Sequence, residues 1–204
     1  MEVIKTPQWI QKLFPSIYWK IETQNKEIYL TFDDSPSPRF TRWILDVLNH
    51  FEIKATFFCI GKNAKEYPEI ISNIILEGHA IGYHGYSHMN GFLSFKKSYL
   101  LDLDKCKKVL PDSKLFRPPY GKIYPWQIRL IKKKYKIIMW DILSYDFQPK
   151  ITKEKLISNV LNNIENGSII VFHDNQKSKK ILKQALAEIL KNLQSQGFKF
   201  KLLS

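Results

Sequence analysis

Residues 28–34, Ile28-Tyr29-Leu30-Thr31-Phe32-Asp33-Asp34, make a short apolar run that ends in two adjacent carboxylates. Five consecutive apolar or β-branched residues stopped by charge predict a buried strand with both Asp residues at its C-terminal end. The same figure recurs along the chain. Strand-like runs fall at 54–60, 79–83, 114–116, 136–140, 168–172 and 198–202, with helical patterns between them. Pro68 and Gly78 bracket one helix, and Pro125 opens another. Thr152 caps a third that runs to Gly167, and a fourth ends near Gly197. Leu100, Leu103, Cys106 and Leu110 give a further stretch helical spacing.

Seven strands alternating with six helices predict an α/β fold with a parallel sheet. The polar residues at the strand ends choose its form. His84 and His88 follow the third strand, Arg117 the fourth, Asp141 and Asp146 the fifth, and His173-Asp174 the sixth. A closed parallel barrel gathers the C-terminal ends of all its strands at one face. An open sheet gathers only those beside its switch point. Five strands ending in titratable or cationic side chains therefore favour the barrel.

Composition sets the outer limits. A chain of 204 residues with 44% hydrophobic and 25% charged residues predicts one domain with a sizeable core, which excludes disordered and fibrous classes. The net charge of +13 is uneven: 21 Lys/Arg face 9 Asp/Glu after residue 100, against 11 and 10 before it. Lys supplies most of it, as in Lys132-Lys133-Lys134, and there are only four Arg, the better readers of phosphates and bases. Solvated Lys on outer helices is thus favoured over a nucleic-acid partner. Peripheral association with an anionic membrane or glycan stays open, as does the oligomeric state.

Cys59 and Cys106 lack disulfide or metal spacing and read as core residues. No apolar stretch approaches the roughly 18 residues of a membrane span. Residues 1–20 show no uninterrupted signal-peptide core. The chain is cytoplasmic by default, with membrane-peripheral placement or non-classical export as alternatives. Residues 1–27 read as an N-terminal extension on a catalytic domain at 28–204. Its bulky residues Trp9, Ile10, Leu13, Phe14, Ile17, Tyr18 and Trp19 should pack over one end of the fold.

Asp34, His84 and His88 form the first constellation. Two His four apart can aim at one point, and a carboxylate from a neighbouring strand completes three ligands. Three protein ligands leave a position open, which is the catalytic pattern for Zn²⁺. Paired carboxylates at a buried strand end repel each other. A divalent cation on Asp34 and the Arg117 cation near Asp33 would relieve that repulsion. His173, held by Asp146 or Asp174, would stay protonated and could donate to a leaving group.

Thr31-Phe32-Asp33-Asp34, His84-Gly-Tyr-Ser-His88, Arg117-Pro-Pro-Tyr-Gly121, Trp140-Asp141 with Asp146-Phe147, and Val171-Phe-His173-Asp174 stand in this order. In that order they resemble the polysaccharide deacetylase family (carbohydrate esterase family 4), from about Ile28 onward. The resemblance implies a distorted (β/α) barrel of about seven strands and metal-dependent removal of acetyl groups from N-acetylated amino sugars. It also sharpens the choice between the adjacent carboxylates: Asp33 as general base, with Asp34, His84 and His88 as ligands of a divalent metal, Zn or else Co or Ni. The Tyr120 backbone N–H would stabilise the oxyanion, Arg117 would balance Asp33, and His173 would be the general acid supported by Asp146. An amidase or esterase on another acyl compound is the alternative within the fold. A polyanion-binding module and a non-haem iron oxygenase rank lower.

Five positions depart from the family pattern. Ser35 stands where Gly is usual, and would be strained if that backbone needs positive φ. Gly85 lacks a frequent hydroxyl, and Tyr83 replaces a small polar residue. Phe147 stands for Trp, and Val171 for a Leu of the acetyl pocket.

Overall fold

The computed structural model describes residues 3–204. Nine strands form one sheet among the described residues. They are β1 (Ile17–Tyr18), β2 (Glu27–Ser35), β3 (Thr56–Cys59), β4 (Ala80–Tyr83), β5 (Leu115–Phe116), β6 (Lys136–Ile138), β7 (Ile142–Leu143), β8 (Ile169–His173) and β9 (Lys199–Phe200). The helices are α1 (Gln8–Leu13), α2 (Phe40–His50), α3 (Gly61–Glu66), α4 (Pro68–Leu76), α5 (Lys96–Lys107), α6 (Pro125–Ile131), α7 (Lys153–Leu161) and α8 (Gln176–Ser195). The seven strands anticipated from the apolar runs are all present. The additional β1 and β7 are two residues each, too short to show a periodicity.

Spatial order is β1-β6-β5-β4-β3-β2-β8-β7, with β9 also on β2, and all these pairs are parallel. The sheet curls into a distorted (β/α) barrel whose end strands β1 and β7 do not pair directly. The N-terminal segment spans that break. Thr6 N–H donates to the Asp141 carbonyl at 2.8 Å, Leu143 N–H to Ile4 at 2.9 Å, and Ile17 and Tyr18 pair with β6.

Alternation along the strands separates two cores. Ile28, Leu30 and Phe32 of β2 join the cluster that holds Ile44 of α2, Ile74 of α4 and Leu186 of α8. Tyr29 joins Phe58, Leu115, Ile138 and Ile169, a cluster without helical members that fills the concave interior. Asp33 shares the parity of Tyr29 and so faces inward. Helix α8 is fastened by Leu182, Leu186, Ile189 and Leu193, all fully buried at three- and four-residue spacing. Each such side chain contributes about 1.5–3 kcal/mol. Lys180, Lys183 and Lys191 lie exposed on its other side, as do Lys132, Lys133 and Lys134 after α6.

Three local expectations are corrected. The helix capped by Thr152 stops at Leu161, not Gly167. Gly167 (φ +81) instead lets Ile21 approach: a Cβ there would lie 1.7 Å from the Ile21 carbonyl oxygen. Ile17 and Trp19 are buried, but Trp9 and Leu13 of α1 are 66% and 63% exposed, so only part of the N-terminal apolar cluster packs. Ser35 is not strained, because the positive φ (71°) falls on Asp34. Cys59 and Cys106 are buried free thiols.

Candidate active site

In an unbroken strand Asp33 and Asp34 would point to opposite faces. The β2–β3 register shifts between Asp33 and Ser35, and this bulge with Asp34 at φ 71° turns both carboxylates to the site. The Asn63 amide donates to the Asp34 carbonyl at 3.2 Å. The Asn175 amide donates to Asp34 Oδ2 at 2.7 Å. Asp34 Oδ1 is buried without a hydrogen-bond partner. It faces His88 Nε2 at 3.2 Å and His84 Nε2 at 3.7 Å.

His84 sits just past β4, with Nδ1 2.8 Å from the Arg117 carbonyl oxygen. That contact makes Nδ1 the donor and leaves the Nε2 lone pair for a ligand. Burial pushes the His84 pKa down, which favours the neutral, ligating form. Burial alone would raise the Asp34 pKa, but His88, His84 and His173 outweigh it and keep the carboxylate ionised. His88 (φ 56°) lies in the turn after His84, its ring centroid 4.4 Å from that of Tyr120. The donor atoms of Asp34, His84 and His88 lie within 4.8 Å of one another. An orphaned carboxylate oxygen between two imidazole nitrogens fits a divalent cation, for which these three residues supply mixed N/O donors.

Asp33 belongs to a different network. Arg117 is fully buried, yet every arm of its guanidinium is satisfied. Nη1 donates to Asp33 Oδ1 at 2.6 Å and Thr31 Oγ1 at 2.8 Å. Nη2 donates to the Met139 carbonyl at 2.9 Å and Nε to Ile138 at 3.2 Å. Its Cζ lies over the Phe58 ring, 4.1 Å from the centroid. Asp33 Oδ2 is left on the cleft side, 3.9 Å from His84 Nε2.

Of the two candidate partners for His173, the structure selects Asp146. Asp146 Oδ1 is 2.8 Å from His173 Nδ1, and Oδ2 accepts the His173 backbone N–H at 2.7 Å. Burial disfavours the imidazolium, but Asp146, Asp33 and Asp34 overcome it and push the pKa up to about 9. Asp174 turns the other way and accepts from Ser35 and Thr41. Tyr120 (φ 60°) occupies the Pro119–Gly121 turn at the mouth of the cleft.

Asp33, Asp34, His84, His88, Tyr120 and His173 line a cleft of about 760 Å³, with Arg117 and Asp146 buried behind it. Trp140, Leu143 and Phe147 give it an apolar wall. Val171 does not line the cleft: it pairs with Thr31, one inward-facing layer below Asp33 and His173, so the expectation that it shapes the acetyl pocket is not met. Asp141 also lies away from the cleft, bonded to Ser168 at the end of the N-terminal segment. Two contributors were not singled out in the sequence. Asp102 of α5 accepts the backbone N–H groups of Tyr86 and Ser87 at 2.7 and 3.0 Å, bracing the turn between the two His. Asn175 caps α8 and also bonds Asp34.

The sequence model of the family described as polysaccharide deacetylase matches residues 20–140. The chain belongs to the polysaccharide deacetylase family. A peptidoglycan-N-acetylglucosamine deacetylase of Bacillus cereus is 31% identical over 205 residues, covering 95% of each chain. A chitooligosaccharide deacetylase of Azorhizobium caulinodans is 36% identical over 164 residues, covering 74% of this chain and 76% of its own. The crystal structure of the Bc1960 peptidoglycan N-acetylglucosamine deacetylase, in complex with 4-naphthalen-1-yl-N-oxidanyl-benzamide, superposes with a TM-score of 0.89. It is 32% identical, over 97% of this chain and 95% of that one. This polysaccharide deacetylase is thus a carbohydrate N-deacetylase, a hydrolase of non-peptide carbon–nitrogen bonds carrying an Asp-His-His group suited to a divalent metal. No helix among its described residues is long and apolar enough to cross a membrane.

Proposed function

We propose that this deacetylase removes the acetyl group from N-acetylglucosamine residues of peptidoglycan, with Zn²⁺ held by Asp34, His84 and His88. The observation that carries the substrate is the near full-length match to peptidoglycan N-acetylglucosamine deacetylases in sequence and backbone. A peptidoglycan substrate entails work outside the cytoplasmic membrane, in place of the cytoplasmic default. Residues 28–204 form the catalytic unit, and the hydrogen bonds of residues 4–18 to β6 and β7 support reading 1–27 as an extension laid over it.

A divalent cation in this position supplies Lewis-acid charge to the acetamide carbonyl and acidifies water beside it. Asp33 is the general base. Arg117 fixes its Oδ1 and neutralises the pair, while Oδ2 takes the proton of the attacking water. The Tyr120 backbone N–H donates to the developing oxyanion. His173 is the general acid: Asp146 holds Nδ1–H, so Nε2–H delivers the proton to the departing amine nitrogen. Water adds to the carbonyl carbon, the C–N bond breaks, and acetate and a free amine leave. Trp140, Leu143 and Phe147 suit the acetyl methyl. The test is acetate release from purified peptidoglycan, N-acetylglucosamine oligomers and acetylated xylan, using chelated enzyme repleted with Zn²⁺, Co²⁺ or Ni²⁺. The reading requires metal-dependent release from peptidoglycan. Preferential release from acetylxylan, or release undiminished by chelation, overturns it.

A further inference from the structure

The loops that carry the metal-site histidines and Tyr120 run on into a surface that the chemistry does not use. After His88 the chain reaches Phe92, Leu93 and Phe95. Leu93 and Phe95 are 84% and 87% exposed, and Phe92 is 42% exposed. After Tyr120 it reaches Lys122, Tyr124 and Trp126. Phe92 stands against Tyr124 with centroids 4.7 Å apart, and Tyr124 stacks on Trp126 at 6.3 Å. The apolar surface is therefore continuous across both loops.

The surface is built rather than frayed. Gly91 lies so close to the second loop that a Cβ would sit 2.2 Å from the Lys122 carbonyl oxygen. Fully buried Gln127 donates to the Gly91 carbonyl at 3.1 Å. Exposed Leu and Phe side chains held this way are not simply awaiting burial in their own core. Contiguous exposed apolar groups on a folded protein mark an interaction surface.

Its charge indicates the partner. Lys122 Nζ lies 5.4 Å from the Phe92 centroid and Lys96 Nζ 6.0 Å from that of Trp126. Lys97 adjoins them and lies one turn before exposed Leu101 along α5. Residues 86–101 contain no carboxylate, and residues 113–140 carry six Lys and two Arg without one. Basic side chains around protruding Leu and aromatic groups match a bilayer interface, where phosphates meet the lysines and acyl chains meet the apolar tips. A glycan would use the aromatic faces and its acidic peptides the lysines, but neither gives the protruding Leu93 and Leu101 a role.

We propose that Phe92, Leu93, Phe95 and Trp126, with Lys96, Lys97 and Lys122, dock this protein on an anionic lipid surface. Docking sets the mouth of the catalytic cleft beside the membrane, because the same two loops form both. The inference does not depend on the substrate assigned above.

The experiment is sedimentation of the full chain with phosphatidylcholine vesicles and with vesicles containing phosphatidylglycerol, at low and high salt. Binding should require phosphatidylglycerol and weaken as salt rises. Leu93→Ser with Phe95→Ser should reduce it at least tenfold, and Phe95→Ser keeps a good N-cap for α5. Lys96→Gln, Lys97→Gln and Lys122→Gln together should reduce it about 100-fold. Trp9→Ser with Leu13→Ser, on the exposed side of α1, should leave it unchanged. Acetate release from a soluble oligomer verifies that each variant is folded. Equal binding to both vesicle types, undiminished binding of the patch variants, or loss confined to the α1 variant overturns the proposal. So does a patch needed for co-sedimentation with peptidoglycan but not with vesicles.

Discussion

Asn175 donates its amide to Asp34 Oδ2 at 2.7 Å, while its own oxygen accepts the Lys177 and Ser178 backbone N–H groups at the first turn of α8. The helix N–H groups fix which end of the amide is oxygen, so the NH₂ group must face Asp34. One residue thereby caps a helix and engages one oxygen of Asp34, so that the unpartnered Oδ1 is the oxygen that would face a cation.

Asn175→Ser keeps a capping oxygen but is too short to reach Asp34. Metal affinity should fall about 10–100-fold, as for other residues that orient a ligand, with little change in the melting temperature of the metal-free protein. Asn175→Ala should add the loss of the cap, about 1 kcal/mol, lowering Tm by about 2–4 °C. Chelator competition and calorimetry read the two effects separately. Unaltered affinity in the Ser variant would show that Asn175 serves the helix alone.

Asp146 should set the alkaline limb of the pH–rate profile. As the proposed general acid, His173 would act in its protonated form, so kcat/KM should decline as pH rises through about 9. Asp146→Asn removes the charge that offsets burial, and the limb should move to lower pH by a unit or more. Activity lost at pH 8 should return on acidification. The pair also stabilises the fold, fully below the unfolded-state pKa near 6.5 and progressively less as pH rises through about 9. An unmoved alkaline limb would contradict the assignment of His173 as the acid.

Arg117→Met leaves Asp33 buried without its cation. Breaking such a pair costs about 3–5 kcal/mol, and the loss should show directly in chemical denaturation. Arg117→Lys should not restore stability, because one ammonium cannot reach Asp33, Thr31, Ile138 and Met139 together. Pairing Arg117→Met with Asp33→Asn should recover part of the loss. A strictly additive double variant would mean the two charges are not coupled.

Gly85→Ser, which restores the hydroxyl common in the family, should harm this chain. Gly85 has φ +73°, and a Cβ would lie 2.9 Å from Asp102 Oδ2. The backbone conformation alone costs about 1–2 kcal/mol. Displacing Asp102 also loosens the turn that carries His88, so metal affinity should drop with stability. Equal Tm and affinity in the Ser variant would show that the turn has slack.

The barrel could be read from residues 28–34 and the runs after them because alternation, Pro starts and polar strand ends are recorded in consecutive residues. Asp33, Asp34, His84, His88, Arg117 and His173 could likewise be listed together, since parallel strands in order must end on one face. Two features lay beyond that reading, while Asp146 rather than Asp174 as the partner of His173 was named only through the family resemblance. Asp34 shares the side of Asp33, and Asn175 reaches Asp34. Each depends on backbone turns or on side chains brought together from distant strands: a positive φ and shifted register at Asp34, and a contact between residues 141 positions apart. Local periodicity follows from the order of residues. Which atom meets which is settled by how the strands register once the core has closed.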